Sequence, residues 1–222
     1  MPGMLPLEGY RRRPEAELLA RSRAMAAELK TRRTVRDFAP DPVPLGAIEA
    51  AIEAAASAPS GANQQPWHFC VVGPGPLRRE IRAAAEAEER AFYAERAGAA
   101  WLEALAPLGT DWQTPFLETA PWLIAIFAER HGLGAGGARV KHYYIAEAVG
   151  IATGLLIATL HHARLETPTH TPSPMGFLNR LCNRPAREEP FLLLVTGYPA
   201  ADVTTPAAAR VKKPLATVMS RA

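Results

Sequence analysis

Between Lys141 and Ala163 runs a helical stretch with no clear polar face: Val149, Ile151, Leu155, Leu156, Ile157 and Leu160 fall on several of its sides. A surface helix needs only one apolar stripe, whereas a helix apolar on most sides must be covered all round, in a core or at a subunit interface. The chain has 222 residues, 48% hydrophobic and 21% charged, which suits one globular domain with a sizeable core. The stretch 199–222 is rich in Pro and Ala and cannot bury itself. Its Lys212-Lys213-Pro214-Leu215 would be an odd end for a free tail, so this arm is expected to wrap a partner subunit.

The remaining elements follow from periodicity and breakers. Residues 1–13 read as a loose arm, and Pro14 to Lys30 as a helix with Leu18, Leu19, Met25 and Leu29 on one side. Thr31 to Pro44 holds arginines and prolines and reads as loop. Leu45 to Ala56 is a second helix, with Ile48, Ala51, Ile52 and Ala55 at helical spacing. Trp67 to Val72, Trp122 to Phe127 and Phe191 to Val195 are buried strands. Leu77 to about Leu105 is a long charged helix broken at Gly98, suited to a solvated face or a mobile lid. Thr167 to Thr171 is extended, and Gly176 to Cys182 is a short helix. No internal repeat or domain boundary is evident, so 1–222 reads as one domain.

Several functions are disfavoured. The net charge is only +3, and no basic face is interleaved with aromatics, so nucleic acid is not an expected partner. Cys70 and Cys182 are too few and too far apart in sequence for a disulfide framework, so a reducing cytoplasm is the default. The opening Met1-Pro2-Gly3-Met4-Leu5 lacks the apolar core of a signal peptide, and no run reaches the ~18 apolar residues of a membrane span, so no membrane is expected. His68, His131, His142, His161, His162 and His170 form no zinc-type spacing, so no metal is expected. Gly132 to Gly137 matches G-x-G-x-x-G. However, three residues separate it from the preceding strand and no acid stands about 20 residues on, so it reads as a flexible loop. Ser60 is not in a G-x-S-x-G elbow.

Two stretches remain. Ala58-Pro59-Ser60-Gly61-Ala62-Asn63-Gln64-Gln65-Pro66-Trp67 joins a helix to a core strand, with Gly61 allowing close approach of a partner to the main chain. Arg32, Arg33 and Arg36 precede it by one helix and project differently, so one loop can grip both a phosphate and a flat ring edge. Together they suggest an anion-bearing cofactor.

With these stretches in view the chain resembles the flavin-dependent nitroreductase superfamily, and within it the iodotyrosine deiodinase branch. The matching stretches are RRTVR, APSGANQQPW, EERAFYAERAGAAW, the TAP before Trp122, KHYY, TPTHTP, NRPA, VTGYP and KKPL, in order from Arg32 to about Met219. The E-x-x-x-Y lid followed by A-G-x-x-W is what points to the deiodinases. The resemblance implies an α+β fold with a central mixed sheet flanked by helices, in a domain-swapped homodimer with FMN at each subunit interface.

It also implies roles. Arg32, Arg33, Thr34 and Arg36 would hold the FMN phosphate and ring, with Pro59, Ser60 and Gly61 contacting the flavin. Thr169, His170 and Thr171 would form a three-residue flavin contact, Thr171 donating to N5 and so favouring one-electron steps. Lys212 would contact the phosphate. The Ala62 N–H would bind a substrate phenolate, and Glu89 and Tyr93 would close on the amino-acid part of the substrate. Thr114 stands where the family's lid has a lysine, and Arg90 or Arg96 is a candidate replacement. The implied activity is FMN-dependent reductive dehalogenation of halotyrosine or a related halophenol, with electrons from NAD(P)H or a reductase partner. Rival readings are a general NAD(P)H-dependent nitro or quinone reductase and a non-catalytic flavin- or ligand-binding protein.

Overall fold

A computed structural model describes residues 3–221, with the chain up to Arg32 forming one compact unit and the chain from Arg33 onward another. In the first unit, helix α1 (Glu15–Leu29) follows Pro14 and buries none of its residues, leaving Leu18, Leu19, Met25 and Leu29 exposed.

The second unit contains, in chain order, α2 (Leu45–Ala56), β1 (Trp67–Val72), α3 (Pro76–Ala91), α4 (Ala99–Leu105), α5 (Phe116–Thr119), β2 (Trp122–Glu129), β3 (His131–Leu133), β4 (Arg139–Lys141), α6 (Ile145–His162), β5 (Thr169–His170), α7 (Phe177–Leu181), β6 (Glu188–Thr196) and α8 (Leu215–Val218). Its main sheet has the order β1-β2-β6-β5.

Strand alternation divides the core into two layers. Leu123, Ala125 and Phe127 of β2, with Leu193 and Val195 of β6, meet Ile81 and Ala85 of α3, Leu117 of α5 and Leu178 of α7. Ile124 and Ile126, with Leu192 and Leu194, meet Ile48, Ala51 and Ala55 of α2 and Val149, Leu156 and Leu160 of α6. Because both faces of β2 are covered, Leu123 to Phe127 is wholly buried and reads as an unbroken apolar run. Each large side chain buried this way favours the fold by about 1.5–3 kcal/mol.

Several expectations need correction. The sheet is not mixed within one chain: β1–β2, β2–β6 and β5–β6 are all antiparallel. The described part of the arm beyond Tyr198 supplies no strand that could pair in parallel. The long helix begins at Ile145 rather than Lys141, because Arg139–Lys141 is consumed as strand β4 and Tyr144 takes a left-handed turn at φ 52°. The glycine-rich stretch from Gly132 is a hairpin rather than a flexible loop, with β3 paired antiparallel to β4; this is not the strand–turn–helix of a dinucleotide site.

Helix α6 is also covered on one face only. Ala148, Val149, Ala152, Leu156 and Leu160 are buried, while Ile151 and Leu155 are 46% and 37% exposed, beside exposed Gly150 and Gly154. By length and composition alone, its 18 residues would suffice to cross a membrane, contrary to the sequence reading; here its buried face forms part of the core. The two thiols are free. A hydrogen bond shared with Cys182 pulls the Cys70 thiol down to about 7 and pushes that of Cys182 up.

Candidate active site

The charged helix α3 does not end cleanly. From Phe92 to Arg96 the backbone widens into a π-turn, closed by Ala97 N–H donating to Phe92 O at 2.8 Å, and α4 starts afresh after Gly98. Isolated π-turns are frequent at functional sites because they re-aim side chains. Here the turn sets Glu89, Phe92 and Tyr93 along one wall of a cavity of about 470 Å³. Trp101 and Leu105 of α4 form a second wall, and the loop from Gly109 to Pro115 a third. Arg36, Phe116 and the extended Thr169, His170 and Thr171 complete it. Arg36, Glu89, Tyr93, Thr114 and Thr169–Thr171, expected from the sequence to act at one site, are therefore brought together by distant segments.

The polar groups in this cavity are unevenly satisfied. Tyr93 donates its hydroxyl to Thr110 O at 3.3 Å and stacks edge-on against Phe92. Thr114 is 2% exposed, and both its N–H and hydroxyl donate to Glu86 Oε1, at 2.8 and 3.4 Å. Glu86 is also held by Arg82 at 2.7 Å, and its pKa lies below the ordinary value despite some desolvation, as the hydrogen bonds from Arg82 and Thr114 outweigh it together.

Other groups lack partners. Glu89 is half-buried, and among the described residues nothing donates a hydrogen bond to its carboxylate; desolvation raises its pKa, against a pull from Arg96. Arg36 makes no hydrogen bond or ion pair with the described residues, and desolvation of its guanidinium lowers its pKa. His170 Nε2 is buried without a partner. Burial, with Arg36 nearby, brings the His170 pKa down to about 4, so its ring is neutral at ordinary pH.

The residues from Pro59 to Ala62 are absent from this cavity's lining. They lie against the residues that lead into α6. A Cβ at Gly61 would stand 2.8 Å from Tyr143 O, so this position admits only glycine without movement. Gln64 ties the loop down twice, donating to Lys141 O at 2.6 Å and accepting from Tyr143 N–H at 2.9 Å. Ser60 Oγ accepts from Gln65 N–H at 2.9 Å. Ala62, Asn63 and Gln65 all have φ near +50°, each at an expected cost of about 1 kcal/mol or more; such strain commonly marks functional loops.

The other expected residues lie elsewhere. Arg32 closes the N-terminal unit. The main-chain N–H of Arg33 donates to Glu166 Oε2 at 3.3 Å, with Thr34 next to it half-buried. Lys212 is exposed on the arm. Neither proposed replacement cation lines the cavity: Arg90 lies over the Trp112 ring at 4.2 Å, and Arg96 donates to Glu88 O at 2.8 Å. Sequence reasoning missed Glu86 and Phe116. Glu86 is 28 residues from the Thr114 that it holds, and no local pattern announces the pair.

Residues 29–198 match the Nitroreductase family, and the chain belongs to that family. It is 45% identical over 205 residues to the iodotyrosine deiodinase of Haliscomenobacter hydrossis, covering 92% of each chain. It is 41% identical to human iodotyrosine deiodinase 1, covering 93% of this chain and 71% of that one. Among solved structures, oxidized iodotyrosine deiodinase bound to FMN and 3-iodo-L-tyrosine superposes with a TM-score of 0.74 at 30% identity, covering 89% of this chain and 97% of that one. A Bacteroides fragilis nitroreductase with bound FMN, 17% identical at a TM-score of 0.65, shares the fold.

Proposed function

We propose that the protein is an FMN-dependent oxidoreductase that reductively dehalogenates halophenols of the halotyrosine type. The observation that carries this reading is the cavity, which joins an unpaired cation and a buried, unpartnered ring nitrogen to a lid of Glu89, Tyr93 and Trp101. The chain's likeness to deiodinases over nearly its full length supports it.

The residues fit a flavin. Arg36 is a free guanidinium suited to the electron-rich edge of the ring, and His170 and Thr171 offer polar atoms with few internal partners. Ser60 and Gly61 lead into a loop strained at Ala62, Asn63 and Gln65, which the missing Gly61 Cβ lets pack against Tyr143 of the same chain. Because one chain keeps that loop out of the Arg36 cavity, we assign each flavin site to two copies of the chain: one gives Arg36, Thr34 and Thr169–Thr171, its partner gives Pro59–Ala62. The uncovered face of α6, with Ile151 and Leu155 beside two glycines, is the contact expected between copies, and the arm with Lys212 wraps across it.

In the overall conversion a carbon–halogen bond breaks, two electrons and one proton are taken up, and a carbon–hydrogen bond and halide result. Bound FMN would supply the two electrons one at a time. The protein's own part is to orient and exclude. The Ala62 N–H, on the left-handed part of the loop, would donate to the phenolate. Phe92, Trp101 and Leu105 close over the ring and keep water out, and Thr171 offers a hydroxyl at the cavity edge. NAD(P)H or a reductase partner is the proposed electron source, and a cytoplasmic location away from membrane the proposed setting.

The test is halide release from the FMN-loaded, anaerobically reduced protein given iodinated phenols. Stoichiometric iodide with the matching phenol supports the reading. Rapid turnover of nitroaromatics without iodide from any halophenol would instead make it a nitro or quinone reductase, and flavin binding without turnover a binding protein.

A further inference from the structure

The charges around the lid end of the cavity are one-sided. Glu89 enters it half-buried with no hydrogen-bond donor among the described residues, and Asp111 lines the same region while accepting from Gln113 N–H at 2.8 Å. The cation in the lining is Arg36, which the proposed function gives to the flavin. The other arginines nearby are committed elsewhere: Arg90 over Trp112, Arg96 to Glu88, and Arg82 to Glu86 and Glu118. Thr114 cannot take an anion with its hydroxyl or its N–H, since both already donate to Glu86. An anionic group brought here would meet Glu89 and Asp111, with Arg36 given to the flavin and Arg96, which attracts Glu89, tied to Glu88. A cationic group would pair with Glu89, whose carboxylate accepts no hydrogen bond from the described residues. The raised pKa of Glu89 fits a desolvated carboxyl that a bound cation would stabilise in its charged form.

We propose that the substrate is a halophenol whose side chain carries an ammonium and no carboxylate, a halogenated arylethylamine rather than an amino-acid zwitterion. Glu89 takes the ammonium, Trp101 and Phe92 cover the short alkyl link, and Asp111 and Thr114 reject a carboxylate. This deepens the dehalogenase reading and rests on it for the placement of the phenol ring.

The experiment is a titration of the oxidised, FMN-loaded protein with 3-iodotyramine, 3-iodotyrosine and 2-iodophenol, followed by flavin fluorescence. Iodotyramine is expected to bind at least about 10-fold more tightly than iodotyrosine, the worth of one charge-assisted hydrogen bond without a compensating partner for the carboxylate. Glu89→Gln should reduce iodotyramine affinity toward that of 2-iodophenol while FMN remains bound. Thr114→Lys should narrow or invert the tyramine-to-tyrosine ratio. Should Thr114→Lys fail to fold, because its site is buried, Glu89→Gln still decides. Equal or tighter binding of iodotyrosine by the unaltered protein overturns the proposal, as does a Glu89→Gln protein that keeps the preference. Halide release from the reduced protein is scored separately: a tyramine preference with no iodide from any of the three compounds overturns the dehalogenation and leaves the charge selectivity standing.

Discussion

The cavity beneath the lid and the loop before β1 are incomplete in opposite ways. In the cavity it is side chains that are left unsatisfied: among the described residues Arg36 and Glu89 lack hydrogen-bond partners, and His170 Nε2 is buried without one. In the loop the side chains are satisfied and the backbone is strained: Gln64 and Ser60 make their hydrogen bonds, while Ala62, Asn63 and Gln65 sit at positive φ. Unpaired polar groups call for a ligand, and stored strain calls for a surrounding structure that over-determines it. One apolar face of α6, with Ile151 and Leu155, also lies open. The difference is what supports our proposal that each region is half of a site, to be completed when a second copy covers α6.

The comparison breaks most severely if the α6 face is made polar. Leu155→Asp is expected to weaken association of the copies by about 30-fold or more, the scale of an interface hot spot, and to empty both flavin sites although no residue of the Arg36 cavity is changed. Light scattering and bound-flavin absorbance check this; a monomer that keeps FMN would separate the two regions again. A lesion in the cavity should act on the ligand and leave assembly alone. Arg36→Ala is expected to raise the FMN dissociation constant about 10- to 150-fold with the oligomer unchanged, read by fluorescence titration and light scattering.

The smallest effect is on pH. His170 takes a proton near pH 6.5 in the unfolded chain but only near about 4 in the fold, so between these values the unfolded state binds more protons. Its contribution to stability is complete above pH 6.5 and is lost as pH falls toward 4, at up to about 1.4 kcal/mol per pH unit. Urea midpoints across that window, compared with those of His170→Asn, should show the steeper fall in the unaltered protein.

How far the sequence disclosed this depended on whether the cause was local. Helix α2 and strand β1 begin and end where their apolar spacing and flanking prolines place them. The start of α6 does not, because Arg139–Lys141 pairs with His131–Leu133, and that pairing competes with a helix only once the hairpin closes. The uncovered half of α6 is the same problem in three dimensions: its composition reads as all-round burial, yet one chain covers one face. At the site, Arg36, Glu89, Tyr93, Thr114 and Thr169–Thr171 were legible from motifs and do line one cavity, whereas Pro59 to Ala62, expected with them, do not. What Thr114 does there was not, since the atom that decides it belongs to Glu86, brought in by the packing of α3 against α5.

The composite site is tested most directly by complementation. Arg36→Ala damages the cavity half and Gly61→Val the loop half, so each protein alone should lack FMN at a concentration that saturates the unaltered protein. Mixed in equal amounts under conditions that exchange subunits, they should regain flavin and iodide release at about a quarter of the sites, since each mixed dimer holds one undamaged pair of halves. Mixed dimers that form but recover neither flavin nor iodide release would contradict the account, placing both halves of the site within one chain.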